Sequence, residues 1–196
     1  MQYVTNLLPE MNQSNWHRWW YANHCNDVTV DPGTGNEPGF EFYPWATQHM
    51  TCFKTISDIP LISGHQYYAR IHTMSIDYSG TNQYSFYWPT SIQPVEPPTH
   101  ASSDVALFRG VGQSSENNVW YVRSVIVTAS SSSASYPVGV EFYTPMNGSN
   151  ISNRYISGAM LIDLTADYYN QGLTPPGKAT LDSKAYFVGQ HDIATW

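Results

Sequence analysis

Charged side chains are scarce in this chain, and lysine is nearly missing. Charged residues make up 12% of the 196 positions, and lysine occurs only at Lys54, Lys178 and Lys184. Long helices with a solvated face need many glutamates and lysines, so this composition argues against a mainly helical protein. Serine, threonine, asparagine, glycine, proline and aromatic residues dominate instead, which favours strands joined by turns.

Basic residues are too few and too dispersed for a nucleic-acid partner. The 8 Lys and Arg residues stand against 15 Asp and Glu residues, which gives a net charge of −7 at pH 7. Proteins that neutralise phosphates cluster their basic side chains, whereas here these side chains are scattered from Arg18 to Lys184. We therefore expect no nucleic-acid partner.

Long apolar runs are also missing. A membrane-spanning helix needs about 18 or more consecutive apolar residues, and the chain has no such run, so we expect no membrane partner. The segment Met1–Asn6 has neither the basic nor the apolar region of a signal peptide. The sequence thus predicts synthesis in the cytoplasm, with any export following another route, such as assembly into a particle released by lysis.

The only two cysteines are Cys25 and Cys52, and neither belongs to a Cys-x-x-Cys pair. A zinc site built on cysteine is therefore not expected. Because a signal peptide is missing, the sequence favours two buried thiols over a disulfide, which would require the two strands to be adjacent.

The strongest strand signal lies late in the chain, at Tyr155–Thr165. Its apolar residues run almost unbroken from Ala159 to Leu164, which is typical of a strand buried on both faces. We therefore place this strand in the middle of a sheet, and we expect Asp163 to be a buried acid that accepts hydrogen bonds. The short strand Tyr3–Leu8 is expected to pair with it, as first and last strands do in many sandwiches.

Turn signals rich in Gly, Pro, Asn and Ser separate several further strands. The longest is His65–Asp77, and its alternation places Tyr67, Ala69, Ile71 and Thr73 on one face and Tyr68, Arg70, His72 and Met74 on the other. Residues 65–88 are predicted to form a β-hairpin. The other strands are expected at Phe40–Tyr43, His49–Ile56, Val105–Val111, Val119–Ala129, Tyr136–Tyr143 and Tyr186–Val188.

These patterns predict an all-β protein, a single β-sandwich or jelly roll of about nine or ten strands. One or two short helical turns are expected near the C-terminus, at Thr165–Gly172 and Lys178–Ser183. Residues 1–196 are expected to form one domain. The proline-rich loop 89–103 is the one candidate boundary between halves.

Aromatic side chains are the main candidates for ligand contacts. The chain has 15 Tyr and 7 Trp residues, and flat rings stack on sugars while neighbouring polar groups bind the sugar hydroxyls. The alternative is that the rings lie in the core or in contacts with other proteins. The candidate ligand-binding residues are Trp20, Trp45, Tyr68, Trp88, Trp120 and Tyr143.

Acidic residues indicate one candidate metal site and no catalytic centre. Asp27, Asp31 and Glu37 lie in and beside a glycine-rich loop that could hold calcium, unless these acids are simply solvated. The histidines lack metal-binding spacing, and we expect His72 to be a hydrogen-bonded histidine within its strand. Because no nucleophile elbow, phosphate loop or dinucleotide motif occurs, we predict a protein that is not an enzyme.

Two parts of the chain resemble known proteins. The segments Asn6-Leu-Leu-Pro-Glu-Met11 and Leu61-Ile-Ser-Gly-His-Gln-Tyr-Tyr68, with Trp16 between them, resemble the beginning of carbohydrate-binding jelly-roll modules. The later segments are similar to the ending of structural proteins from bacteriophages and prophages of Gram-positive hosts, and they comprise Gly158-Ala-Met-Leu-Ile-Asp-Leu-Thr-Ala-Asp-Tyr-Tyr169, Pro175-Pro176 and Tyr186-Phe-Val-Gly189. The chain departs from that pattern at 167–175, which replaces the usual Phe-Gly-x-Gly-Asn-Glu-Pro loop.

This resemblance implies a virion-associated jelly-roll module with affinity for glycans. Its partners would be other virion proteins, in a homo-oligomer or symmetric array, and a host cell-surface polysaccharide. No cofactor is expected, and calcium is the candidate ion for the metal site. The alternative is a free-standing carbohydrate-binding module or lectin, and a glycan-degrading enzyme ranks last.

Overall fold

A computed structural model describes residues 2–20, 25–42, 50–55, 59, 61–75, 82–87, 106–112, 118–129, 139–143 and 154–196. Its strands are β1 Tyr3–Asn6, β2 Trp16–Trp20, β3 Cys25–Val30, β4 Glu37–Phe42, β5 Met50–Thr55, β6 Gln66–Ser75, β7 Asn82–Tyr87, β8 Ala106–Gly112, β9 Tyr121–Thr128, β10 Gly139–Tyr143, β11 Arg154–Asp163 and β12 Gly189–Asp192. Between β11 and β12 lie helix α1 Leu164–Asp167, a 3-10 helix Tyr169–Gln171 and helix α2 Lys178–Asp182. Within these described ranges, no helix is long and apolar enough to cross a membrane.

Antiparallel pairing arranges the strands into two large sheets and one small ribbon. The first sheet has the order β2-β5-β10-β7-β8, the second has the order β3-β4-β11-β6-β9, and β1 pairs with β12. This arrangement confirms the predicted all-β sandwich. The sequence missed β2, whose Trp-His-Arg-Trp-Trp does not alternate, and β3, which contains Asn26 and Asp27, residue types that are rare in strands. It also placed β12 a few residues too early.

Strand β11 is the centre of the second sheet, as predicted. It pairs with β4 on one side through residues 154–157 and with β6 on the other side along nearly its whole length. Residues 156–164 are all buried. A strand that is covered on both faces carries a continuous apolar run, and this run is the reason that the sequence identified it.

Strand β1 pairs with β12, and not with β11 as predicted. The ladder joins residues 3–6 to residues 189–192. At the end of β1, the Leu161 amide donates to Oδ1 of Asn6 at 3.0 Å, and the Leu7 amide donates to the Leu161 carbonyl at 2.8 Å. The side-chain oxygen of Asn6 therefore accepts a hydrogen bond that a backbone carbonyl would accept in a regular ladder. The periodicity of a strand sequence does not indicate such a replacement.

Strands β6 and β7 do not form the predicted hairpin, because they belong to different sheets. β6 lies between β11 and β9, whereas β7 lies between β10 and β8. Turn signals between two alternating segments do not show whether the second strand joins the same sheet. The predicted alternation of β6 is confirmed, since Tyr67, Ala69 and Ile71 share one apolar cluster and Tyr68 belongs to another.

Both faces of the second sheet are covered near its centre. We call the side of Tyr67 the inner face, where the core includes Trp16 of β2. We call the side of Tyr68 the outer face, where part of the sheet lies beneath residues 164–196, which we name the C-terminal cap. The strand side chains under the cap pack against Leu164, Tyr168, Leu181, Phe187 and Trp196.

The C-terminal cap begins at Asp163. Its Oδ1 accepts the Ala166 amide at 2.9 Å and so caps α1, and its Oδ2 lies 2.7 Å from Nδ1 of His65. The predicted buried, hydrogen-bonded acid is thus confirmed, although it also replaces Thr165 as the residue that starts the helix. Both predicted helical turns are present, and the first ends at Gly172, whose φ of 74° is left-handed.

Asp167 makes the attachment of β1 to the cap sensitive to pH. Its Oδ2 accepts the Thr5 amide at 2.8 Å. Burial raises the pKa of Asp167 from 3.8 to about 6, and the nearby charge of Asp163 adds to the shift while the Thr5 bond opposes it. Because the pKa is raised by folding, the stability contributed by Asp167 is present below pH 3.8 and is lost as the pH rises through about 6.

We therefore predict that Asp167→Asn stabilises the protein at pH 7, since asparagine can still accept the Thr5 amide without a charge. Because Asp167 is partly exposed, the gain should be about 1 kcal/mol, or roughly 2–4 °C in Tm. Thermal melts at pH 7 and pH 4 test this, and the gain should vanish at pH 4. Asp31→Asn, which removes an exposed carboxylate that accepts the Gly33 amide, serves as control. Equal destabilisation of Asp167→Asn at both pH values would contradict the prediction.

Candidate functional site

A row of side chains crosses the outer face of the second sheet beyond the cap. Pairing places Asn26 of β3 opposite Glu41 of β4, and Glu41 opposite Tyr155 of β11. Tyr155 lies opposite Met74 of β6, and Trp120 directly precedes β9, whose first residue pairs with the neighbour of Met74. Opposed residues of antiparallel strands project from the same face. We call these five residues the cross-strand row.

Two aromatic rings of the row, at its centre and at the β9 end, contact each other. The rings of Trp120 and Tyr155 meet edge to face, with centroids 6.3 Å apart and planes inclined by 61°. Both side chains are partly exposed, and so is Met74. Such a pair contributes about 0.5–1.5 kcal/mol beyond the area that it buries, so the rings hold each other in place before any ligand arrives.

Polar groups lie beside the rings. The Tyr155 hydroxyl donates to Oε1 of Glu41, which holds the carboxylate next to the ring. Asn26, opposite Glu41, is exposed and carries both donor and acceptor groups. Glu41 is the one carboxylate of the five residues, so the row does not itself provide the pair of carboxylates that glycoside hydrolysis needs.

A buried ion network lies next to the row on the same face. Glu37 and Arg70 are 0% exposed and His72 is 1% exposed. Oε1 of Glu37 lies 3.1 Å from Nη2 of Arg70, and Oε2 lies 2.7 Å from Nδ1 of His72. The predicted hydrogen-bonded role of His72 is confirmed. Groups sealed from solvent in this way cannot meet a ligand, so the network is structural.

The Glu37 carboxylate accepts two further hydrogen bonds. The Ser157 hydroxyl donates to Oε2 at 3.0 Å, and the Thr34 hydroxyl donates to Oε1 at 2.9 Å. Burial by itself would raise the pKa of Glu37, but the His72 hydrogen bond and the charges of His72 and Arg70 outweigh it and hold the pKa below 4.5. Gly158 lies against this carboxylate, and a Cβ there would lie 2.0 Å from Oε2 of Glu37.

The structure does not gather Asp27, Asp31 and Glu37, the predicted calcium ligands, into one cluster. The carboxylate of Glu37 is buried and bonded to Arg70 and His72 in the ion network. The exposed Asp27 accepts the Gln13 amide at 3.0 Å, and the exposed Asp31 accepts the Gly33 amide at 2.8 Å. Across the described part of the chain, no group of three or more His, Cys, Asp or Glu side chains could hold a metal ion. These three acids are close in sequence, but their carboxylates do not converge. Asp27 and Asp31 each accept a hydrogen bond from a backbone amide instead.

The predicted ligand-binding aromatics have different positions. Trp120 lies in the cross-strand row. Tyr68 is 0% exposed beneath the cap, where its hydroxyl donates to Asp182, so its ring cannot stack on a ligand. Trp20 belongs to β2 and Tyr143 to β10, and only the backbone of these two residues is described. The remaining candidates, Trp45 and Trp88, lie outside the described residues.

Sequence reasoning missed most of the row. Tyr155 stands at the beginning of the strand that the sequence identified most clearly, and Glu41 alternates with two phenylalanines, so both had the period of a strand face. Neither could be assigned to a site, because alternation assigns a face but not the opposing residue on the next strand. Asn26 and Met74 carried no signal of their own.

This chain is similar to several solved structures, but not to any family model or curated protein sequence. No family model matches the chain, and no curated protein matches it. A family 16 carbohydrate-binding module shares 12% identity over 81% of this chain and 100% of its own length, with a TM-score of 0.45. A Clostridium thermocellum endo-1,4-β-D-xylanase with a family 22 module, complexed with xylohexaose, shares 11% identity over 83% of this chain and 29% of its own, with a TM-score of 0.46. A family 4 module shares 13% identity over 78% of this chain and 92% of its own, with a TM-score of 0.43.

The buried network makes Glu37→Gln a severe substitution. Glutamine carries no charge, so it would leave Arg70 buried without a counter-charge and would deprive Nδ1 of His72 of its carboxylate partner. We predict a loss of about 3–5 kcal/mol in the free energy of unfolding at pH 7, measured by urea denaturation. Because folding lowers the pKa of Glu37, its contribution is present above pH 4.5 and is lost as the pH falls through the folded pKa.

Glu10→Gln is the matched control, because Glu10 is exposed and bonds only at the surface, to Asn12. It should change the unfolding free energy by less than about 0.5 kcal/mol. The structural assignment of the network fails if the two variants prove equally stable at pH 7.

Proposed function

We propose that this chain is a non-catalytic glycan-binding module whose ligand lies on the cross-strand row. The observation that carries the proposal is the edge-to-face pair of Trp120 and Tyr155, partly exposed and held beside the Glu41 carboxylate. Aromatic rings stack on the apolar faces of sugars, and carboxylates and amides bind the sugar hydroxyls. A sugar stacked on either ring would bring its hydroxyls within reach of Glu41.

The length of the row supports a short oligosaccharide rather than a single sugar. Its five side chains cover four strand spacings of about 4.8 Å, so the row is about 19 Å long. A ligand cannot extend from the row along the strands towards Arg70, because the C-terminal cap covers the outer face there. At that place the Arg70 guanidinium donates to the Lys184 carbonyl at 2.6 Å. We therefore expect a linear glycan segment to cross the strands along the row.

The location of the module in an organism is a separate question. The C-terminal motifs predict a bacteriophage particle, and no described residue and none of the comparisons supports that location. Glycan binding by the row does not depend on it. If the chain is carried in many copies, weak single-site affinity would suffice, because simultaneous engagement multiplies it. Co-purification of the chain with particles would support the virion prediction.

The glycan proposal predicts that Trp120→Ala weakens binding by about tenfold, since it removes one stacking surface and the support of the other ring. Titration calorimetry is the measurement, with ligands chosen from an array of linear oligosaccharides that includes xylohexaose. Tyr169→Ala is the control, because it removes an aromatic side chain that is 51% exposed on the cap, away from the row. The proposal is wrong if no glycan on the array binds, or if Trp120→Ala binds as tightly as the wild-type protein.

A further inference from the structure

The rings of Trp120 and Tyr155 lean towards each other across β6. Tyr155 belongs to β11 and Trp120 directly precedes β9, so β6 separates the strands that carry the two residues. Two strand spacings amount to about 10 Å. The ring centroids, however, are only 6.3 Å apart, and the ring planes are inclined by 61°. The row therefore offers a ligand two stacking surfaces that do not lie in one plane.

The orientation of each ring is fixed by its own neighbours. The Tyr155 hydroxyl donates to Oε1 of Glu41 on the adjacent strand, which holds the far end of that ring. Trp120 follows a turn at Asn118, whose φ of 62° lies in the left-handed region that asparagine adopts more readily than most residues. That turn sets the direction in which the chain enters β9. The inclination of the rings is thus built into the folded protein before any ligand binds.

Linear glycans differ in the angle between successive sugar planes. In a β-1,4-linked glucan each sugar is turned over relative to the one before it, so the planes stay parallel and the chain is a flat ribbon. A β-1,3-linked glucan coils, and its successive planes are inclined to each other. A sugar stacks on an aromatic ring only when the two planes are nearly parallel. A flat ribbon can therefore stack on one of the two rings, whereas a coiled chain can stack on both.

We propose that the inclined rings of Trp120 and Tyr155 select glycans whose successive sugars are inclined to each other, as in coiled β-1,3-glucans, over flat ribbons such as β-1,4-glucans. This inference rests on the proposed function and adds the shape of the ligand to it. Specificity is the difference between two affinities, and here the coiled chain gains a stacking contact that the ribbon does not make. Because the rings are ordered in advance, the ribbon cannot recover that contact without disrupting the contacts that hold one of them.

Laminarihexaose and cellohexaose form a matched pair of probes, because both are hexamers of β-linked glucose and differ only in the linkage. Titration calorimetry at pH 7 should show laminarihexaose binding at least about tenfold more tightly, which corresponds to one additional stacking contact. Xylohexaose, whose sugars also wind about the chain axis, should bind more tightly than mannohexaose, which is a flat ribbon. The tightest ligand on the array of linear oligosaccharides should be a coiled chain.

Removing either ring leaves a single stacking plane, on which coiled and flat chains are equal. Trp120→Ala and Tyr155→Ala should therefore each reduce the ratio of the two affinities to less than about threefold. Tyr169→Ala removes an aromatic side chain that is exposed on the cap, so it should leave the ratio unchanged.

The comparison of ligands with the wild-type protein does not depend on any variant folding. Cellohexaose binding as tightly as laminarihexaose, or a flat ribbon as the tightest ligand on the array, would overturn selection by the inclined rings and leave the glycan proposal standing. A tenfold ratio that survives in a folded Trp120→Ala or Tyr155→Ala protein would do the same. If no glycan on the array binds, the glycan proposal fails and this inference fails with it.

Discussion

The buried carboxylate of Glu37 is the interaction on which the second sheet depends. It joins β4 to Arg70 and His72 of β6 and to Ser157 of β11, so one acid connects three strands. Moving any of these strands by one residue would put a charged group into the apolar inner face, which would be very costly. The network thereby sets the register that aligns the cross-strand row, although the network itself is sealed from solvent.

Arg70 also links the sheet to the C-terminal cap. Its other guanidinium nitrogen donates to the Lys184 carbonyl, while Asp182 of the cap accepts hydrogen bonds from Tyr68 and Ser124. The cap therefore covers one part of the outer face, and the cross-strand row lies beyond it. Under the proposed function, a glycan would therefore cross the strands beside the cap.

Much of the fold could be predicted, because buried strand faces require a recognisable pattern of apolar residues in the sequence. The apolar run of β11, the alternation of β6 and the buried Asp163 were all readable, and so were the two helical turns. The hairpin of β6 with β7 and the pairing of β1 with β11 were not correct. Each of these errors concerns which segment lies next to which, and local patterns do not contain that information.

By itself, the sequence determined the all-β class, the central strand and the face to which each side chain of β6 belongs, since these follow from the two-residue period of a strand and the cost of exposing apolar groups. Only the tertiary structure decided that Tyr68 is buried under the cap, while Trp120 stands in line with Tyr155 and Glu41. That alignment requires residues about 35 to 115 positions apart to share one register. Register is set by long-range contacts, here the ion pairs of Glu37, and these exist only once the chain has folded.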